Sequence, residues 1–133
     1  MDDLYKENIL DHYRYPRNAG KLENATHSYK EHNPLCGDVI QIDLHINEDQ
    51  IIDQVAFSGR GCAISQASAS MLTEMIEGKT LDQAKQIGKE EILEALGIDI
   101  GPTRIKCALL SLKVLKAGVY GLSEEEWNTD DDW

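Results

Sequence analysis

The sequence predicts a single α+β domain, in which a small antiparallel sheet carries several helices on one face. Three observations lead to this prediction. Apolar residues alternate with mostly polar ones over residues 40–46, the spacing of apolar residues becomes helical after residue 61, and no repeat or linker divides the 133 residues. Strands and helices that follow each other in separate blocks are typical of α+β folds. A chain of this length fits one hydrophobic core.

The chain begins with a predicted helix over residues 2–14, which Pro16 ends. Asn18-Ala19-Gly20 has the composition of a loop. Residues 26–32 are predicted as a first strand. The first helix therefore precedes the sheet.

The next two segments predict an antiparallel hairpin. Val39–Ile46 and Ile51–Phe57 are the strands, and Asn47–Gln50 supplies the turn between them. The apolar residues of the first strand fall on every second position, at Ile40, Ile42, Leu44 and Ile46. Such a strand buries one face and leaves the other for water.

Helices are predicted for the rest of the domain, over residues 63–76, from Thr80, over 89–96 and over 104–117. Gly78 and Gly97 end the first and third of these, as glycine often does. Thr80 and Gln83 have the spacing of a capping box. We therefore expect residues 1–120 to form the domain. Residues 121–133 form an acidic tail that we expect to be flexible.

Charge and hydropathy exclude several classes of function. The net charge of −11 provides no basic footprint for nucleic acid. No apolar run approaches the roughly 18–20 residues that a membrane span needs. The acidic N-terminus lacks the basic and apolar regions of a secretory signal, so we expect a cytoplasmic protein.

The chain has three cysteines, Cys36, Cys62 and Cys107. An odd number without a secretory signal argues against a disulfide framework. Three thiols and one further ligand would make a four-coordinate site for a soft or borderline metal. The alternative is that these are small buried residues, as free cysteines often are.

The predicted hairpin brings two of the cysteines together. Cys36 comes just before its first strand and Cys62 just after its second, so we expect both at one edge of the sheet. Asp38 is two residues from Cys36 and would point to the same side of an extended segment. It is the candidate fourth ligand, although an aspartate after a glycine also commonly caps a turn.

Each cysteine lies in a setting that favours its thiolate form. Cys62 begins a predicted helix, where the macrodipole is favourable, and Arg60 is close by. Cys107 lies in the first turn of the last predicted helix, near Arg104 and Lys106. Lys106 cannot bind a metal while protonated, so it either modulates the site or is simply solvated.

These motifs resemble the IscU/NifU/SufU family of iron–sulfur cluster assembly scaffold proteins. The resemblance covers about residues 4–118. Its most specific part is the segment from Asn33 to Asp38. The other parts are the segments Gly61–Ser65 and Ala67–Ser70, the pair Lys106-Cys107, and an N-terminal signature over residues 11–18.

The resemblance implies a SufE/IscU-like fold, with Cys36, Asp38, Cys62 and Cys107 holding a transient [2Fe–2S] cluster or a Zn²⁺ ion. It implies that the three cysteines accept sulfur and that Asp38 keeps a bound cluster labile. A pyridoxal-phosphate cysteine desulfurase would be the sulfur donor, and apo iron–sulfur proteins or carriers would receive the cluster.

Two departures from the family pattern matter. Lys106 stands where IscU-type chains have histidine, as in the SufU branch, yet the 45 positions between Cys62 and Cys107 are close to the short IscU-type spacing. The segment Ile100–Arg104 keeps one proline of the Leu-Pro-Pro-Val-Lys pattern that a dedicated chaperone reads, so recognition by that chaperone is in doubt.

Three functions follow as hypotheses. The first is a non-enzymatic scaffold that assembles a [2Fe–2S] cluster and transfers it. The second is a zinc-dependent sulfurtransferase that relays persulfide sulfur. The third is a structural zinc domain, which the sequence disfavours because structural sites usually have close-set ligand pairs such as C-x₂-C.

Overall fold

The computed structural model describes residues 2–33, 37–97, 105 and 107–120. Helix α1 (Asp2–Arg14) precedes a three-stranded antiparallel sheet of order β1-β2-β3. The strands are β1 (His27–Asn33), β2 (Asp38–Ile46) and β3 (Ile52–Arg60). The helices that follow within the described residues include α2 (Ala63–Ile76), α3 (Leu81–Lys85), α4 (Lys89–Leu96) and α5 (Leu110–Tyr120). The predicted α+β class is confirmed.

The hairpin has the predicted strands, but β3 is longer than predicted. It runs through Ser58 and Gly59 to Arg60, which pairs with Val39. The Gly-Arg-Gly segment was expected to be loop. Within this part of the strand, Gly59 has φ +135°, and a Cβ at this position would lie 2.0 Å from the Val39 carbonyl oxygen. Only glycine permits this close approach of the two backbones.

The helices pack on one face of the sheet, as predicted. Ile40, Ile42 and Leu44 of β2 are fully buried on this face. Their partners in β3 include Phe57 and Val55. α2 and α5 lie over the sheet, and their apolar residues complete the core, with Leu72, Ile76, Leu112 and Leu115 almost fully buried. The α3 capping box forms as predicted between Thr80 and Gln83.

A buried carboxylate ties the outer face of the sheet to the preceding loop. Asp43 is 3% exposed and accepts hydrogen bonds from Ser28 Oγ, Gln41 Nε2 and the Leu22 amide. Burial alone would raise the pKa of Asp43, but these hydrogen bonds and the Lys21 cation outweigh it and lower the pKa. The loop before β1 is therefore held by a charged acceptor.

The segment after α1 lies along the free edge of β3. Phe57 exchanges backbone hydrogen bonds with it, donating to Asn18 O at 2.9 Å and accepting from the Gly20 amide at 2.8 Å. At the end of α1, His12 Nδ1 lies 2.7 Å from Ser70 Oγ of α2. This segment, predicted only as loop, thus covers an edge that would otherwise expose unpaired backbone groups.

The predicted helix over 104–117 is not continuous. Ile105, Cys107 and Ala108 are helical, Leu109 is in a turn, and α5 then begins at Leu110. All six residues from 107 to 112 are buried. The interruption is confined to this turn, because the Leu109 amide still donates to Ile105 O at 3.0 Å and its carbonyl oxygen accepts from the Lys113 amide at 2.9 Å, as in an α-helix.

Among the helices that the structure describes, none combines the length and apolar character of a membrane span. The predicted tail over residues 121–133 lies outside the described residues, and its flexibility stays a prediction.

Candidate functional site

Three of the four predicted ligands lie together. One ligand atom from each of Asp38, Cys62 and Cys107 is within 4.8 Å of the other two. Asp38 is 2% exposed, Cys107 is 3% exposed, and Cys62 is half-buried. The three residues come from parts of the chain 24 to 69 positions apart, so the fold creates this cluster. Because Cys62 is only half-buried, solvent can reach the cluster of ligands at this residue.

The hairpin register brings Asp38 to Cys62. Asp38 is the first residue of β2, and Cys62 follows the end of β3 by two residues. The Cys62 amide donates to Asp38 Oδ1 at 3.1 Å, and Cys62 Sγ lies 3.7 Å from Asp38 Oδ2. Cys62 is the N-cap of α2 and its own side chain caps no amide. Asp38 therefore supplies the acceptor and the negative charge that a helix N-terminus favours.

Cys107 reaches the same place from the opposite end of the chain. It lies in the helical turn before α5 and is buried against the core with Ala108 and Leu109. α5 packs against both α2 and the sheet. Ser111 Oγ of α5, four residues after Cys107, lies 3.5 Å from Ser68 Oγ of α2, six residues after Cys62. This buried contact lies between α2 and α5.

Gly61 leaves the space in which the Asp38 carboxylate sits. A Cβ at this position would lie 2.4 Å from Ser65 Oγ, 2.7 Å from Asp38 Oδ1 and 2.8 Å from Asp38 Cγ. Any side chain here would displace a candidate ligand. The motif Gly61-Cys62 thus has a steric basis, which the sequence did not reveal because glycine before a helix usually indicates only a turn.

Ser65 is a site residue that sequence reasoning missed. It is fully buried one turn after Cys62, with its Oγ 3.9 Å from Cys62 Sγ and 3.1 Å from the Cys62 carbonyl oxygen. The available signal was the spacing: a residue three positions after the N-cap lies on the same helix face.

Other predicted site residues are outside the described residues. Cys36, Arg104 and Lys106 fall in this group, so their roles stay predictions. Gly37, which follows Cys36, has φ +73° and agrees with the turn predicted there. Arg60 is exposed at the end of β3. His12 is buried beside Ser70 and Glu74.

The donor set fits a tetrahedral metal ion. Zinc binds thiolate sulfur at about 2.3 Å and carboxylate oxygen at about 2.0–2.2 Å, so a tetrahedral site places a sulfur and an oxygen ligand roughly 3.6 Å apart. Cys62 Sγ and Asp38 Oδ2 are 3.7 Å apart. Two sulfurs and one oxygen leave a fourth position, which is the one predicted for Cys36. The residues present therefore suit zinc or thiolate-bound iron.

Comparisons with known proteins identify the family of this chain. The model of the NifU-like N terminal domain matches residues 4–128. The zinc-dependent sulfurtransferase SufU of Bacillus subtilis is 40% identical over 136 residues, with coverage of 90% of this chain and 91% of that protein. The scaffold protein IscU of Escherichia coli K12 is 35% identical over 118 residues, with coverage of 86% and 91%.

A solved structure extends the likeness to three dimensions. The structure of a putative scaffold protein for the SUF system from Fervidobacterium islandicum is 30% identical and gives a TM-score of 0.76, with coverage of 85% of this chain and 94% of that one. The predicted resemblance is confirmed. The chain belongs to the family of the NifU-like N-terminal domain, the iron–sulfur cluster assembly scaffold family that includes IscU and SufU.

Proposed function

We propose that this protein is a scaffold for iron–sulfur cluster assembly. It receives sulfur from a cysteine desulfurase, assembles a transient [2Fe–2S] cluster with iron, and passes that cluster to apo-proteins. Cys36, Asp38, Cys62 and Cys107 hold the cluster, which is cargo of the protein. The cytoplasm is the expected compartment.

The observation that carries this proposal is a buried carboxylate with an oxygen within 4.8 Å of two cysteine sulfurs. Asp38 Oδ2 is 3.7 Å from Cys62 Sγ, and Asp38 and Cys107 are almost fully buried. A permanent structural site would normally use sulfur and nitrogen ligands alone. An oxygen ligand is harder and exchanges more readily than a thiolate, so a mixed site holds a soft metal and still releases it. This property suits a carrier.

Sulfur transfer needs an accessible thiolate. Cys62 is the more exposed of the two described cysteines and lies at the opening of the site. As a thiolate it would attack the outer sulfur of a desulfurase persulfide. A new sulfur–sulfur bond then forms on Cys62, the old one breaks, and the desulfurase cysteine leaves as a thiolate. Cys36 and Cys107 are equally candidates for this step by resemblance.

A second function, zinc-dependent sulfurtransfer, is favoured by one specific comparison. The SufU relative, which is named for that activity, shares 40% identity with this chain, against 35% for the IscU relative. In this alternative, zinc would hold the thiols as thiolates at neutral pH, and a cysteine released from it would accept the persulfide sulfur. Lys106, in place of the histidine of IscU-type chains, agrees with this branch.

Anaerobic reconstitution separates the two functions. The metal-free protein is mixed with a cysteine desulfurase, cysteine and ferrous iron, with and without one prior equivalent of zinc, and visible absorption is recorded. The scaffold proposal predicts a [2Fe–2S] spectrum in the zinc-free sample and its transfer to an apo-ferredoxin. If no cluster forms, while the zinc-loaded protein accelerates the desulfurase and carries a persulfide, the protein is a sulfurtransferase.

A further inference from the structure

Ser65 lies closer to the chemistry of Cys62 than its place inside a helix suggests. The Ser65 side chain is fully buried, and its Oγ lies within hydrogen-bonding distance of two atoms of Cys62. These are the Cys62 carbonyl oxygen at 3.1 Å and the Cys62 sulfur at 3.9 Å. A hydroxyl rotates about its C–O bond, so one proton can serve either acceptor.

Binding of a metal ion to Cys62 decides which acceptor is used, because cysteine binds metal as a thiolate. A thiol donates its own proton, so Ser65 Oγ can accept from Cys62 Sγ while its hydroxyl proton goes to the Cys62 carbonyl oxygen. A thiolate has no proton and can only accept. Because the Ser65 side chain is shielded from water, its hydroxyl is a donor available to the Cys62 thiolate on the side of the sulfur that faces Ser65.

Turning the hydroxyl toward sulfur leaves no backbone group unpaired. The Cys62 carbonyl oxygen also accepts the Gln66 amide at 3.1 Å, which is the first hydrogen bond of α2. It therefore keeps a partner when Ser65 releases it. The exchange replaces a neutral hydrogen bond with one to an anion, which is the stronger kind.

We infer that Ser65 is a positioning residue, whose hydroxyl donates a hydrogen bond to the Cys62 sulfur when that sulfur binds metal as a thiolate. The inference rests on the proposed function, because it requires that Cys62 bind metal. Hydrogen bonds to ligand sulfurs draw electron density from the metal–sulfur bond and tune metal sites. Ser65 would thus weaken the hold of Cys62 on its metal, in keeping with a site that releases cargo.

The same helix offers a matched control. Ser68 is also fully buried, and its Oγ donates to the Ser65 carbonyl oxygen at 3.1 Å. Ser68→Ala removes an equally buried hydroxyl whose contacts described above are to two oxygen atoms, the Ser65 carbonyl oxygen and Ser111 Oγ. Ser65→Ala should fold, because alanine is the best helix former and the Cys62 carbonyl oxygen keeps the Gln66 amide. Ser65→Thr restores the hydroxyl.

Cobalt(II) is a suitable probe, because a thiolate bound to it gives a charge-transfer absorption whose energy reports the electron density on sulfur. Wild type, S65A, S65T and S68A are loaded with one equivalent of Co²⁺ without oxygen. Circular dichroism and thermal unfolding of the metal-free proteins establish that each variant is folded. We expect the band of S65A at longer wavelength than that of wild type, and the bands of S68A and S65T at the wild-type position.

The outcomes separate this inference from the proposed function. A folded S65A with the wild-type band overturns the role of Ser65 and leaves the metal site intact. Equal displacements in S65A and S68A also overturn it, because they would report a general effect on helix α2. Absence of thiolate-to-cobalt absorption in wild type would overturn the proposed site itself.

Discussion

Replacing Gly61 by alanine tests whether the Asp38 carboxylate must occupy its observed position. Gly61 has no left-handed φ, so its backbone accepts alanine, and the effect arises from the added methyl group alone. That methyl group would lie 2.7 Å from Asp38 Oδ1 and 2.4 Å from Ser65 Oγ. Side-chain Cβ atoms essentially never approach other atoms closer than 3.0 Å.

The displacement follows from these distances. To reach the 3.0 Å minimum, Asp38 Oδ1 must move by 0.3 Å, and an ordinary contact of 3.4 Å needs 0.7 Å. Metal–ligand distances tolerate only about 0.2 Å of deviation. We therefore expect Gly61→Ala to lower zinc affinity by about 10–100-fold, the usual effect of disturbing a group that orients a ligand.

The assay is competition with a chromophoric chelator, with thermal unfolding of the metal-free form as the test of folding. Gly88→Ala is a matched control, because its added methyl group would lie 3.6 Å from the nearest atom, Glu91 Oε2, which is an ordinary contact. A folded G61A that binds zinc as tightly as wild type and G88A would refute the reasoning.

Three further predictions concern ligand lability, pH and the tail. Asp38→Ala should lengthen the life of a reconstituted cluster, because the exchangeable oxygen ligand is gone; faster loss of its visible absorption would contradict the scaffold proposal. Burial and the Arg17 cation lower the pKa of His12 from 6.5, against the opposing effect of nearby carboxylates. Folded protein thus disfavours the His12 proton, so stability should fall as pH drops below about 6.5. Denaturant unfolding of His12→Asn should show a flatter pH profile, and an unchanged profile would exclude His12 as the cause. Ending the chain at residue 120 should leave the unfolding temperature unchanged; a clear decrease would show that the tail stabilises the domain.

The local hydrophobic pattern of the sequence predicted the part of the site that lies at the edge of the sheet. Alternating apolar residues in β2, followed by a polar turn and a second strand, indicated a hairpin, and a hairpin necessarily brings its two outer ends together. The meeting of Asp38 with Cys62 followed from that geometry. The strand end at Arg60 was missed, because a glycine that permits close backbone approach has the same local signal as a glycine in a loop.

The helical half of the site depended on contacts that no local pattern encodes. Cys107 was placed with the other cysteines through family resemblance alone, since the packing of α5 on α2 and the sheet involves residues far apart in sequence. The break at Leu109 was missed because helix propensity is continuous there, and burial of six successive residues is a tertiary property. Ser65 was missed because its partner is a sulfur atom in its own helix turn.

The central claim is that Asp38, Cys62 and Cys107 form one metal site with Cys36. X-ray absorption at the zinc edge, on protein loaded with one equivalent of Zn²⁺, tests it most directly. We expect four ligands, with three sulfurs at about 2.3 Å and one oxygen at about 2.0–2.2 Å, and loss of that oxygen or its replacement by water in Asp38→Ala. A shell of nitrogen and oxygen with one sulfur or none would contradict the claim.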